Sequence, residues 1–165
     1  MICWQNSLDG LRLTGMGNQR LLDVPMTAFF ASRQCPGTVI RAAMDWALVQ
    51  AREKNIVVSG FHSPLEQSVL KVLMSAHSPA VVVLARPVVG AKLPPGWAEV
   101  VEQGTMAVVS AVATTTRLTD AVATARNQLV AQLAASIVVA HASAGGALEG
   151  LCAQWQSQGR LLTRL

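Results

Sequence analysis

The sequence predicts an α/β protein with a three-layer α/β/α Rossmann-like fold and a mostly parallel sheet. Short apolar runs rich in Val, Ile and Phe alternate with segments of helical periodicity along most of the chain. Such alternation favours parallel strands joined by right-handed crossovers. The run Ile56–Leu73 shows this unit most clearly, because an all-apolar strand passes through Ser59-Gly60 into a helix that opens with an S-x-x-E capping box. The exposed N–H groups and the dipole at such a helix start favour a bound phosphate.

The individual elements follow from the positions of the apolar residues. Five strands are predicted at Met26–Ala31, Ile56–Ser59, Ala80–Ala85, Met106–Ser110 and Ser136–Ala140, with a weaker sixth at Arg160–Leu165. Five helices are predicted at about 40–51, 64–77, 94–103, 118–133 and 146–158.

The first 25 residues fit the alternating scheme poorly. Gly15, Gly17 and Leu21-Leu22 indicate an ordered lead-in before the first predicted strand. We therefore divide the chain into an N-terminal lead-in segment, residues 1–25, and one Rossmann-like domain, residues 26–165. A chain of 165 residues is long enough for one substantial core and too short for two.

The composition is unusually apolar. Hydrophobic residues make up 52% of the chain, charged residues only 13%, and there is no Tyr. Much of the chain is therefore expected to be buried or to lie against a partner, and a homodimer or a higher homo-oligomer is predicted. No apolar run reaches the roughly 18 residues of a membrane span, and the first twenty residues lack a signal-peptide pattern, so a cytoplasmic protein without membrane association is expected.

The polar composition points towards an anionic partner. Three widely spaced cysteines give neither a disulfide framework nor a zinc site, and neither a metal nor a cofactor is predicted. The formal net charge is +4, and ten of the 13 basic residues are Arg, whose planar guanidinium suits phosphate groups. Arg enrichment alone does not identify a ligand, since a coding bias produces it too.

Residues that follow the predicted strands should meet at one edge of the sheet, where ligands of this fold bind. In chain order they are Ser32-Arg33, Ser59-Gly60-Phe61-His62, Arg86-Pro87, Ser110, and His141-Ala142-Ser143 with Gly145-Gly146. This set is small, hydroxylated and cationic. It suits phosphate contacts, whereas acid–base or metal chemistry would need converging carboxylates or imidazoles, so no catalytic residue is predicted.

At these positions the chain resembles the DNA-processing protein A family, also called Smf. Ser32-Arg33 after the first predicted strand is similar to the family's Gly-Ser-Arg motif, with Ala31 in place of the glycine. Ser59-Gly60 matches the Ser-Gly turn, while Glu66 falls near the family aspartate. Arg126-Asn127 resembles an Arg-Asn-Arg triplet whose third member is Gln128 here. The resemblance indicates a divergent member that consists of the Rossmann-like domain only, without the flanking helical and winged-helix domains.

The resemblance implies a single-stranded DNA-binding protein that is not an enzyme and that helps to load a RecA-type recombinase. The phosphate or DNA contacts are expected at Ser32, Arg33, Ser59, Gly60, His62, Arg86, Arg126, Asn127, Gly145 and Gly146. Lys92 and Arg117 would enlarge a basic groove if they face the same rim. For Glu66, a place in the capping box explains the residue without a ligand.

Two alternatives stay open at the level of sequence. A phosphoribohydrolase-like enzyme of the same fold carries a Pro-Gly-Gly-x-Gly-Thr-x-x-Glu signature, and Gly145-Gly146 is here followed by Ala147-Leu148-Glu149 without that threonine or glutamate spacing. A sensor of small nucleotides would use the same loops but would need a closed pocket. Trp97 and Phe61 could stack on bases, although packing in the core explains either residue.

Overall fold

One sheet organises the computed structural model, which describes residues 2–115 and 117–165. Its eight strands are β1 (Cys3–Leu8), β2 (Leu11–Gly17), β3 (Met26–Ala31), β4 (Ile56–Ser59), β5 (Ala80–Val83), β6 (Met106–Ser110), β7 (Ser136–His141) and β8 (Leu162–Arg164). The helices are α1 (Gly37–Glu53), α2 (Pro64–Ser75), α3 (Trp97–Glu102), α4 (Asp120–Leu133) and α5 (Ala147–Ser157). The spatial order of the strands is β1-β2-β6-β5-β4-β3-β7-β8.

The six strands from β3 to β8 run parallel, which confirms the predicted fold class. Their side chains are apolar on both faces, as in Val57 and Val58, because helices cover the sheet on both sides. Phe29 and Val57 pack with α1, α2 and α3 on one face. Phe30 and Val58 pack with α4 and α5 on the other. The result is the three-layer arrangement.

Several element boundaries differ from the sequence-based prediction for local reasons. The helix expected from residue 118 begins at Asp120, because Thr119 is its N-cap and its hydroxyl accepts a hydrogen bond from the Val122 amide. The helix expected from residue 94 begins at Trp97, after Gly96 with a φ of +84°. β5 ends at Val83 rather than at residue 85, and the last strand is reduced to Leu162–Arg164.

The N-terminal segment forms a β-hairpin where the sequence predicted only an ordered lead-in. β1 and β2 pair through the turn at Asp9-Gly10, and β2 pairs antiparallel with β6. The indole N–H of Trp4 donates to the Gly17 carbonyl at 3.0 Å. β1 was missed because an exposed edge strand, Cys-Trp-Gln-Asn-Ser-Leu, contains no continuous apolar run. Residues 1–25 thus include two strands of the common sheet, and their separation as a domain stays a prediction.

The strand order reverses direction at β3. β4, β5 and β6 follow on one side of β3, and β7 and β8 lie on its other side. This reversal places a crevice at the carboxyl ends of β3 and β7, the position where ligands bind in open parallel sheets. Among the described residues, the structure holds no helix long and apolar enough to cross a membrane.

Candidate functional site

The crevice at the reversal point is bridged by backbone and hydroxyl contacts. The Ser32 amide donates to the His141 carbonyl at 2.9 Å, and the Ser143 amide donates to Ser32 Oγ at 2.9 Å. Ser32 therefore joins the loops after β3 and β7, and its hydroxyl already serves as an acceptor. Arg33, the next residue, is exposed to solvent at the same edge.

Gly145 and Gly146 lie exposed between β7 and α5. Gly145 has a φ of +74°, a conformation that favours glycine, and the Gly146 amide donates to the Ser143 carbonyl at 3.0 Å. The two glycines thus form the turn that brings the chain back beside Ser143. They lie at the predicted edge of the sheet, but neither lines the cavity that opens beside Gly60.

The N-terminus of α2 is occupied by a carboxylate of the chain itself. Glu66 is 6% exposed, and its Oε1 accepts the His62 amide at 2.9 Å and the Ser63 amide at 3.3 Å. Its Oε2 accepts the amide of Ala31, at the end of β3, at 3.0 Å. Ser63 Oγ completes the predicted capping box by accepting the Glu66 amide. Because these donors are engaged, the phosphate position expected at this helix start is already filled by Glu66.

Ser59 is a buried residue of the core and does not lie on the surface. Its side chain is fully buried, and Oγ accepts the Phe61 amide at 3.1 Å. Phe61, expected as a stacking residue or a core residue, is buried with a φ of +46°. The sequence-based expectation that Ser59 contacts DNA is therefore corrected, because a side chain without exposed surface cannot reach a ligand.

A cavity of about 650 Å³ opens beside this turn, at the carboxyl ends of β4 and β5. Four of the predicted site residues line it, namely Gly60, His62, Arg86 and Arg126. With Arg86 and Arg126, Lys71 of α2 is the third Lys or Arg side chain that lines the cavity among the described residues, and it is exposed. Among the described residues that line the cavity there is no Asp or Glu. The cavity is therefore positively charged.

Lys71 is a cavity residue outside the set predicted from the sequence, although the sequence contains a signal for it. Gln67, Leu70, Lys71 and Met74 all line the cavity, and their spacing of i, i+3, i+4 and i+7 is that of one helix face. The sequence alone does not identify this face of α2 as the one beside a cavity, because each helix has several faces that could border a ligand. Only the packing of α2 against the sheet shows which one borders a cavity.

Arg126 reaches the cavity from α4 and lies against the backbone of Gly60. A Cβ atom added at Gly60 would stand 2.6 Å from Arg126 Nε. Nε and Nη2 both donate to Asn127 Oδ1, at 3.4 and 3.3 Å. Burial lowers the pKa of the Arg126 guanidinium, while the Glu66 carboxylate opposes that effect. Asn127 thus orients Arg126 and does not itself line the cavity.

His62 connects the cavity with Arg33. Burial lowers the pKa of its imidazole first, Arg126 and Arg33 lower it further, and Glu66 acts in the opposite direction. Both arginines are therefore close enough to His62 to influence the charge of its imidazole. Arg86 stands at the far wall, where its Nη2 donates to the Lys92 carbonyl at 3.2 Å.

The chemistry of this edge is that of anion binding. Guanidinium and ammonium groups stabilise phosphate by charge and by hydrogen bonds. Within the described residues no group of three His, Cys, Asp or Glu side chains is placed to hold a metal ion. The cationic edge, defined here as Arg33, His62, Lys71, Arg86 and Arg126, is the candidate site.

Comparisons with known proteins agree with the fold and with the resemblance. A sequence profile of the family described as DNA recombination-mediator protein A matches residues 10–161. DNA processing protein A from Helicobacter pylori, studied for its single-stranded DNA binding mode, has a similar fold, with a TM-score of 0.79 and 15% identity over 99% of this chain and 79% of that chain. A search of curated protein sequences finds no match.

DNA processing protein A from Streptococcus pneumoniae is also similar, with a TM-score of 0.76 and 19% identity. The similarity covers 93% of this chain and 54% of the S. pneumoniae protein, so this chain spans about half of that protein's length. At these identities the likeness to both structures shows a common fold.

Proposed function

Because this chain belongs to the DNA recombination-mediator protein A family, as its match over residues 10–161 shows, we propose that it binds single-stranded DNA and acts without catalysing a reaction. The DNA backbone follows the cationic edge from Arg33 past His62 to Arg126. One observation carries the proposal: the basic side chains cluster at the carboxyl ends of the strands, and the cavity among them has no carboxylate among its described lining residues.

The role of Glu66 determines how the phosphates would be held. The Glu66 carboxylate already accepts hydrogen bonds from the amides of His62 and Ser63. Phosphate contacts therefore come from side chains rather than from the N-terminus of α2. Side-chain contacts of this kind are electrostatic and carry little base preference. Three phosphate contacts on a single strand would give a slope of log affinity against log salt of about −2.

Fluorescence anisotropy of a labelled oligothymidine at two salt concentrations tests the proposal. Arg33→Ala should weaken binding roughly tenfold, because a charge-assisted contact to phosphate is lost. Arg20→Ala is the matched control, since Arg20 is an exposed arginine in the short 3-10 helix Gln19–Asp23 before β3, at the opposite edge of the sheet. Absence of binding at low salt, or equal loss in both variants, would contradict the proposal.

The substitution Gly60→Ala tests whether the Arg126 guanidinium contacts DNA. The added methyl group would displace the guanidinium, because the Cβ position stands 2.6 Å from Nε. DNA affinity should fall severalfold while the thermal midpoint changes little, since the displaced group is the end of a flexible side chain. An unchanged affinity together with an unchanged fold would show that Arg126 does not contact DNA.

The partners follow from the same proposal. The family description, recombination mediator, supports a RecA-type recombinase as the protein partner, and such a role belongs to the cytoplasm. The H. pylori relative is described with a single-stranded DNA binding mode, which supports the choice of ligand. A homodimer or higher homo-oligomer is part of the proposal because large apolar side chains remain exposed on α1.

A further inference from the structure

The cavity beside Gly60 has the size and the walls of a small-molecule site. Its volume of about 650 Å³ lies within the range of roughly 300–1,000 Å³ that is typical of ligand pockets. It lies between α2, the start of α3 and α4, beyond the carboxyl ends of β4 and β5. A strand of DNA that runs along the surface needs a groove, whereas a pocket of this volume also suits a compact ligand.

The walls of the cavity differ in chemistry. Leu70, Met74 and Trp97 form an apolar wall where α2 meets α3. The cationic side chains of Lys71 and Arg126 and the imidazole of His62 form a polar wall on the side of Gly60. A ligand that satisfies both walls has a flat apolar part and an anionic part, and the indole of Trp97 is suited to stack on an aromatic ring.

From these walls we propose that the cavity binds a free nucleoside monophosphate, with the base against Trp97 and the phosphate against Arg126 and Lys71. This binding activity goes beyond DNA binding along the cationic edge and does not require it. Arg126 is the central phosphate contact, because the Glu66 carboxylate holds the amides of His62 and Ser63 and leaves the anion to side chains. Asn127, which accepts from Nε and Nη2, orients the guanidinium towards the cavity.

Isothermal titration calorimetry with dTMP and AMP tests the inference, with thymidine and inorganic phosphate as probes of the two halves. We expect one nucleotide per chain and an affinity at least tenfold above that of either half alone. Arg126→Ala should weaken nucleotide binding at least tenfold, and Arg20→Ala should leave it unchanged. Lys71→Ala, on an exposed position of α2, is a second variant that tests the same wall if Arg126→Ala does not fold.

A site-specific signal locates the ligand. The indole N–H resonance of Trp97 should shift on addition of dTMP, because Trp97 lines the cavity, whereas Trp4, Trp46 and Trp155 do not. Nucleotide binding that neither Arg126→Ala nor Lys71→Ala weakens would overturn the inference. So would the absence of any heat or shift at millimolar dTMP.

Different experimental outcomes would contradict DNA binding along the cationic edge and nucleotide binding in the cavity. If oligothymidine shifts the Trp97 resonance and dTMP does not, the cavity serves the strand alone and the free-nucleotide inference is overturned. If dTMP binds and oligothymidine does not bind at low salt, the inference stands and the DNA proposal is refuted.

Discussion

Glu66 shows at the scale of one residue how a capping motif limits a binding site. A free helix N-terminus attracts anions, but this one is satisfied by a buried carboxylate that accepts three amides, those of Ala31, His62 and Ser63. The Ala31 contact links the end of β3 to the start of α2. Glu66 is therefore a structural residue, and the cations around it are left to interact with a ligand.

Replacing Glu66 with Ala should destabilise the fold without removing a ligand contact. Three backbone donors would lose their acceptor, two of them in buried residues, and we expect the free energy of unfolding to fall by about 3 kcal/mol. Urea denaturation followed by circular dichroism measures it. Glu102→Ala, at an exposed carboxylate, should change the value by less than about 0.5 kcal/mol. A loss in Glu66→Ala no larger than in this control would contradict the structural role.

The lowered pKa of His62 predicts how the affinity for DNA depends on pH. In the free protein, burial lowers the pKa of His62 below its usual 6.5, and the nearby Arg126 and Arg33 lower it further against the opposing effect of Glu66. A bound phosphate favours the charged imidazole and raises that pKa, so binding takes up a proton. Affinity should therefore rise as pH falls from 7.5 to 5.5, by up to about tenfold for each pKa unit gained.

Anisotropy titrations at constant ionic strength measure this pH dependence, and His62→Gln should flatten it. His77→Asn is the matched control, because His77 lies at the opposite edge of the sheet with a φ of +51°, which Asn tolerates. A pH dependence that His62→Gln leaves intact would assign the proton uptake to another group.

At the scale of elements, Gln128 connects two helices, at the position where the resemblance to the family places the third residue of an Arg-Asn-Arg triplet. Its Oε1 accepts the indole N–H of Trp155 at 3.0 Å, and its Nε2 donates to Gln154 Oε1 at 3.0 Å. Trp155 is 1% exposed and packs against Phe30 of β3 with ring centroids 4.8 Å apart. Gln128 thus joins α4 to α5 on the sheet, and its side chain is not available to a ligand.

Gln128→Ala should reveal this structural role. The buried indole N–H of Trp155 would lose its acceptor, and we expect the free energy of unfolding to fall by about 1–3 kcal/mol. Chemical denaturation followed by Trp fluorescence gives the value. Gln154→Ala removes only an exposed amide pair and should cost less than about 0.5 kcal/mol. Equal stability of Gln128→Ala and the native chain would show that water replaces the lost acceptor.

The elements that the sequence predicts correctly share a strong periodic signal. The parallel strands read as β-branched runs because both faces are covered, and the S-x-x-E box marks the start of α2. The hairpin of β1 and β2 has no such signal, because one strand is an exposed edge and glycines stand in the other. Its pairing with β6, whose partner residues lie 90 to 96 positions further along the chain, depends on tertiary contact.

For the whole molecule, the apolar surface of α1 supports self-association. Leu48 is 53% exposed and Ile40 is 43% exposed. Leu48 also borders a groove of about 500 Å³ between α1 and α2, together with Met44 and Val72. Exposed apolar side chains around such a groove are typical of an interaction surface.

In the proposed homo-oligomer, Leu48→Glu should therefore cause dissociation, because a carboxylate would be buried without a partner in the interface. Sedimentation velocity at several protein concentrations measures the association state. Val24→Glu is the control, since Val24 is 51% exposed, follows the 3-10 helix and does not line the groove between α1 and α2. A native chain that is monomeric at all concentrations would contradict self-association, and equal dissociation by both substitutions would place the interface elsewhere.

The sequence by itself determined the α/β class, the parallel strands, the capping box and the cationic residues at the strand ends, because those features depend on local periodicity and local hydrogen bonds. It did not determine which of these residues meet. The tertiary structure buried Ser59, brought the Ala31 amide at the end of β3 to the Glu66 carboxylate, placed Arg126 against Gly60 and brought Lys71 into the cavity. Each of these outcomes depends on how helices rotate and pack on the sheet, and that packing joins residues distant in the chain.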